Sequence, residues 1–174
     1  ILTKYLKEDN VYGKEDNFYD IIRRCAPMHD LGKLTISEEI LNKPGRFTPE
    51  EFEIMKGHSA LGERYVEAIC NGVESDEFIR IAKNVARHHH EKFQGGGYPD
   101  NLVGEDIPVE ARIMAVADVY DALVSKRVYK EKMSYEQANS IMLESFGPHF
   151  DPKLKDIYLK AKEEWENYYT EIDE

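Results

Sequence analysis

The chain has 174 residues and a formal net charge of -11, enough for one domain that buries roughly 70% of the surface its unfolded form exposes. This acidic balance excludes broad contact with a nucleic-acid polymer or an anionic membrane, since both need a basic face; an anionic ligand has to be held by a local cluster. No apolar run approaches the roughly 18 residues of a membrane span, and Cys25 and Cys70 sit in apolar helical contexts without CxxC or framework spacing, as reduced core residues of a cytosolic protein do.

The opening stretch ILTKYLKEDN reads as helix already under way at Ile1, without a Met, and so as part of something longer. In NFYDIIRRCAPMHDLGK, Phe18, Ile21, Ile22, Cys25 and Met28 or His29 recur on one helical face, with a kink expected at Pro27. ISEEILNKPG is one or two turns stopped by Pro44-Gly45. Thr48-Pro49-Glu50-Glu51 is a capping box with Pro at the first helical position. Phe52, Met55, His58, Tyr65, Val66 and Ile69 then share a face, which points His58 at the core.

Ser75 caps the next helix, whose inward positions Phe78, Ile81, Ala82 and Val85 lead by i+4 to His89. The run His88-His89-His90 is therefore the end of an amphipathic helix and not an expression tag. A loop over 95–106 follows, too rich in Gly to be packing alone. Pro108 starts PVEARIMAVADVYDALVS, apolar nearly all round and hence buried. Ser134 with Gln137 caps a helix ending at Gly147, and Asp151-Pro152 starts the last one, through Leu154, Ile157, Ala161 and Trp165. The predicted fold is an all-α bundle of about six or seven helices with one long loop.

Asp118 lies inside IMAVADVYDAL, where an ionised carboxylate costs several kcal/mol unless paired or bound to metal. Asp121, one turn on, is read as a structural hydrogen-bonding residue. His29-Asp30 puts an imidazole and a carboxylate on adjacent residues, able to reach one ion or, through the Asp, to bridge two. With His58, His89, His90 and Asp118 they form a set of imidazoles and carboxylates without thiolates, which suits Fe, Mn, Co, Zn or Ni. Two such ions sharing a carboxylate generate a nucleophile at neutral pH and neutralise the charge of a displaced phosphoryl group. Hydrogen-bonded core histidines are the commoner case for any one position; four inward His/Asp positions in one small domain favour the metal centre. Lys33, Arg127 and Lys130 are placed to meet a phosphate beside it.

The segments APMHDLGKL, EFEIMKGHSALG, HHHEKFQGGGYPDNLVGEDIP, ARIMAVADVYDAL and KRVYK resemble, in order and spacing, the HD-GYP domains, a branch of the HD metal-dependent phosphohydrolases, from Ala26 to Pro152. The resemblance implies an all-α bacterial cytoplasmic domain, here over 1–174, that hydrolyses cyclic di-GMP to pGpG or GMP. Carried over residue by residue, it makes His29, Asp30, His58, His89, His90 and Asp118 metal ligands for two or three divalent ions, most often Fe or Mn. Asp30 bridges, His29 and Asp118 serve one metal, and His58, His89 and His90 the other. Asp30 and Lys33 become catalytic, and Lys33, Arg127, Lys130 and Tyr98 meet the substrate.

Gly97-Tyr98-Pro99 is the motif that names the branch, expected to border the site and to contact a signalling partner; His88 is expected to support the ligands or lie at the surface. Gln94, Phe93 and Val128 are mild departures from the pattern. In the family a helix ahead of residue 1 supplies a further His and, in trinuclear members, a Glu, so the first helix here is expected to be incomplete, with a sensor or receiver module upstream. Homodimerisation through the long helices is left open. Two other readings stand beside the enzyme: a signalling module that binds cyclic di-GMP or a partner through the 95–106 loop without turnover, and a general HD nucleotide phosphohydrolase, which lacks the GYP loop.

Overall fold

The computed structural model describes residues 1–125 and 132–173. Among these residues are eight α-helices and no strand: α1 (Leu2–Asp9), α2 (Asp16–Cys25), α3 (Glu38–Leu41), α4 (Pro49–Cys70), α5 (Asp76–His88), α6 (Val109–Val124), α7 (Tyr135–Ser145) and α8 (Lys155–Asp173). The all-α expectation holds. The helix count exceeds six or seven because α3, a single turn halted before Pro44-Gly45, stands apart from α4. No helix among the described residues is long and apolar enough to cross a membrane.

Helix starts follow local chemistry. Thr48 Oγ1 accepts the Glu51 amide while the Glu51 carboxylate accepts the Thr48 amide, the reciprocal box expected from the sequence. Ser75 caps α5 through the Phe78 amide, and Ser134 with Gln137 boxes α7. The apolar stripe of α4 differs from expectation. Phe52 and Ile69 are exposed, and the buried positions are His58, Ser59, Gly62, Val66 and Cys70. Steps of four residues select this face, and its small side chains let α5 and the turn after α2 approach closely.

Helix α5 is the hub, packed against α2, α4 and α6, with Phe78, Ile81, Ala82 and Val85 buried as expected. Helix α6 is enclosed on most sides, and its two buried charges are both satisfied. Glu110 accepts from Asn84 at 2.8 Å, and Arg112 donates to the Ile107 carbonyl at 2.8 Å and to Asp151 at 2.7 Å. Leu154, Ile157, Ala161 and Trp165 of the last segment pack on this core, with Trp165 stacked on Tyr120 at 4.7 Å. Cys25 and Cys70 are free and buried. The centre of the bundle is thus closely packed where α2, α4 and α6 meet α5, and the histidines lie beside it.

Candidate metal centre

Helix α2 stops at Cys25 because Pro27 lacks the amide that would continue it, and the chain tightens into a 3-10 turn over Ala26–Met28. His29 and Asp30 come next. Gly32 then lies against α4 so closely that a Cβ there would sit 1.8 Å from the His58 carbonyl oxygen. Only glycine fits, and the contact brings His58 over the His-Asp pair. Beyond the end of α5, His89 and His90 enter from the second side, and Asp118 enters from the middle of α6.

The structure brings together all six residues singled out as ligands. Asp30 Oδ1 faces His58 Nε2 at 3.4 Å and His89 Nε2 at 3.8 Å, while Asp30 Oδ2 faces His29 Nε2 at 3.3 Å. His29 Nε2 lies 3.5 Å from Asp118 Oδ1, and His90 Nε2 is 3.2 Å from His58 Nε2. Two overlapping donor groups result: Asp30, His58, His89 and His90 in one, and His29, His89 and Asp118 in the other. His89 falls within reach of both.

Backbone carbonyls fix the tautomers. His29 Nδ1 lies 2.7 Å from the Ala26 oxygen, His58 Nδ1 2.6 Å from the Met55 oxygen, and His89 Nδ1 2.9 Å from the Val85 oxygen. A carbonyl can only accept, so each Nδ1 carries a proton and each ring, in its neutral form, presents its Nε2 lone pair inward. His89 Nε2 and Asp30 Oδ1 are both buried and have no hydrogen-bond partner. Two buried lone pairs facing each other are relieved by a cation between them. The donor separations are those of ligand atoms around one ion, about 3 to 4 Å for bonds of about 2.1 Å. The residues therefore fit a divalent metal.

Charge follows the same pattern. Burial lowers the imidazoles of His58, His89 and His90, the last two to about 4 and about 2 with help from neighbouring histidines. Burial alone would raise Asp30 and Asp118, but the His29 ring beside both, with Lys33 at Asp30, brings them below the usual carboxylate range. At His29 burial lowers the ring, yet Asp118 and Asp30 outweigh it and hold it up at about 10. At neutral pH the pocket thus offers ionised carboxylates and neutral rings at His58, His89 and His90, while His29 holds a second proton between Asp30 and Asp118 that a bound cation would displace.

One side of the centre is closed and the other open. The side chains of His58 and His89 are 1% and 0% exposed, those of Asp30 and Lys33 31% and 35%. Lys33 Nζ donates to Asp30 Oδ2 at 2.7 Å on that open side. Tyr98 stacks on His90 with ring centroids 4.8 Å apart, and the edge of Phe52 meets it from outside at 6.1 Å. Gly97 explains its own place in the loop, because a Cβ there would come within 2.7 Å of the backbone of His90, Glu91 and Lys92.

His88 stands apart from this pocket, with Glu91 and Asp100 near its Nδ1. Asp121 accepts from Ser125 at 3.0 Å and from Tyr169 at 2.6 Å, the structural role expected of it. Arg127 and Lys130 lie outside the described residues. Sequence reasoning missed Gly32, which reads as ordinary turn punctuation, and Glu91, which reads as one more solvated acid. The signal for Glu91 was its position directly after the histidine run.

A family model described as HD domain matches residues 13–154. The chain belongs to the HD-domain family. Within it, this HD domain carries the motif set of the HD-GYP branch. It is 47% identical over 146 residues to a "Probable cyclic di-GMP phosphodiesterase" of Vibrio cholerae, covering 80% of this chain and 32% of that protein. It is 42% identical over 146 residues to the "Cyclic di-GMP phosphodiesterase response regulator RpfG" of Xanthomonas campestris pv. campestris, covering 84% of this chain and 37% of the relative. Against the "3'3'-cGAMP-specific phosphodiesterase 2" of Vibrio cholerae the identity is 39% over 159 residues, 91% of this chain and 29% of the relative. The HD domain spans about a third of the length of these relatives.

Proposed function

We propose that this HD domain is a metal-dependent phosphodiesterase that opens cyclic di-GMP to pGpG or GMP. The observation that carries the reading is the Asp30 carboxylate, one oxygen toward His58 and His89 and the other toward His29 and Lys33. That is the disposition of a bridging carboxylate between two ions. Asp30, His58, His89 and His90 would hold one ion, and His29, Asp118 and the second Asp30 oxygen the other; Fe or Mn suits this donor set. When bound, such ions activate water and neutralise charge on a phosphoryl group.

The protein's own side chains supply the rest. Lys33, held by Asp30 on the open side, would meet a non-bridging phosphate oxygen and stabilise the charge that develops there. Tyr98 borders the same opening. Burial raises its phenol, and Asp118 and Asp30 push it further, so its hydroxyl keeps its proton and serves as a hydrogen-bond donor to substrate. The closed histidine side keeps bulk water away from the buried donors. Arg127 and Lys130 are assigned to phosphate contact from the sequence motif alone.

The relative specific for 3'3'-cGAMP favours a second reading of the substrate, another 3'–5' cyclic dinucleotide with the same phosphodiester chemistry. Parallel assays of cyclic di-GMP and 3'3'-cGAMP with Mn2+ or Fe2+ separate the two. Cleavage of the first in preference to the second supports the proposal; binding without cleavage of either overturns it in favour of a signalling module.

A further inference from the structure

Three of the four ligand-set imidazoles are oriented by backbone carbonyls at Nδ1: His29, His58 and His89. His90 is different. Among the described residues its ring nitrogens meet only His58 Nε2, and its face is covered by Tyr98, 25° from parallel. His90 thus has no backbone anchor at its ring nitrogens; its ring packs on His89 at 4.0 Å and on Tyr98 at 4.8 Å, and the second of these partners comes from a loop that itself has to be fixed.

Glu91 does so from the adjacent position. Its side chain is fully enclosed, with the residue 2% exposed, and both oxygens are turned away from the centre. One accepts the Asp100 amide at 2.7 Å and the other the Leu102 amide at 3.0 Å. Around this anchor the Tyr98 amide donates to the His90 carbonyl at 3.3 Å, and Gly97 rests on the backbone of the same turn. Arg87 adds a forked pair to Asp100 at 2.7 and 2.8 Å. Because two amides and the Arg87 guanidinium already satisfy these carboxylates, the His88, Glu91 and Asp100 group is a fastening and not a second cation site.

We propose that Glu91 is a positioning residue: it holds the 95–106 loop closed so that Tyr98 sets the His90 ring and walls the substrate opening. The substrate part of this inference rests on the phosphodiesterase reading; the part concerning His90 does not. Glu91→Gln keeps the shape but turns an NH2 group toward one of the two amides, so one of the two loop fastenings is lost.

The test compares wild type, Glu91→Gln, Tyr98→Ala and the double variant by amide exchange, Mn2+ affinity in competition with a chromophoric chelator, and KM and kcat for cyclic di-GMP. Glu91→Gln should speed exchange at Asp100 and Leu102, weaken Mn2+ binding by about tenfold and raise KM by about tenfold with a smaller change in kcat. Tyr98→Ala should weaken Mn2+ to a similar degree, and the double variant should be no worse than Tyr98→Ala alone. Faster exchange with unchanged Mn2+ affinity and KM would make Glu91 merely structural and overturn the proposal. So would full Mn2+ affinity in Tyr98→Ala, a result independent of whether Glu91→Gln folds. If wild type fails to cleave cyclic di-GMP, the phosphodiesterase reading falls while the exchange and Mn2+ results still decide the role of Glu91.

Discussion

His58 Nε2 and His90 Nε2 lie 3.2 Å apart, although both rings are buried against protonation. The His58 proton is committed to the Met55 carbonyl, so its inward nitrogen is a lone pair. Replacing His58 with Ala should therefore weaken Mn2+ or Fe2+ binding by at least about tenfold. In wild type, metal at a hundredfold excess over its dissociation constant should stabilise the fold by about 2.7 kcal/mol. Thermal melts with and without Mn2+ check both; equal shifts in wild type and His58→Ala would remove His58 from the ligand set.

Gly32 and Gly62 give a matched pair. A Cβ at Gly32 would meet the His58 carbonyl at 1.8 Å, while one at Gly62 meets its nearest neighbour at 3.4 Å. Gly32→Ala should cost about 3 kcal/mol or more by forcing α4 off the His-Asp turn. Gly62→Ala should stay within about 1 kcal/mol of wild type, because helix propensity offsets the tighter contact. Urea midpoints measure the difference, and comparable losses for the two would show that the close approach at Gly32 carries no weight.

The buried Asp151 carboxylate accepts from Arg112 at 2.7 Å, Tyr12 at 2.7 Å and the Lys153 amide at 2.9 Å. Arg112→Met leaves that carboxylate without its charge partner and should destabilise by about 3 to 5 kcal/mol. Adding Asp151→Leu should recover part of the loss, since removing both charges is cheaper than removing one. A double variant as unstable as Arg112→Met would contradict this account of the network.

How much of this was legible in the residues follows from what each signal depends on. Asp118 declared itself by its apolar surroundings, and the capping boxes at Thr48 and Ser134 depend only on neighbours in sequence. The face of α4 was partly misread, because Phe52 and Ile69 are apolar but lie off the stripe that α5 covers. Gly32 and Glu91 were invisible for a different reason: a long-range approach to His58 and a loop folded back on itself leave no periodic trace. Geometry therefore added the supports, while the six chemical side chains were readable as a set.

His149, which is not one of the six ligand residues but feels the Asp118 charge, offers a pH test. Burial, reinforced by the Lys92 charge, lowers its imidazole to about 4, and its ring stacks on Phe150 at 4.5 Å. The unfolded chain binds this proton below about pH 6.5, so the folded state loses stability as pH falls from there to about 4, and the loss is complete below that. No effect arises above the unfolded value. NMR titration of the His149 ring should show it neutral at pH 5.5, and His149→Phe should flatten the acid limb of the stability curve. A ring that titrates near 6.5 in the folded protein would contradict the burial argument.

The most direct test of the central claim is metal content and cyclic di-GMP cleavage measured on the same anaerobic preparation of wild type and Asp30→Asn. A carboxylate shared between two ions predicts about two Fe or Mn per chain with turnover in wild type, and loss of at least one ion together with turnover in Asp30→Asn. An Asp30→Asn protein that is stripped of metal and still cleaves cyclic di-GMP at the wild-type rate would contradict it.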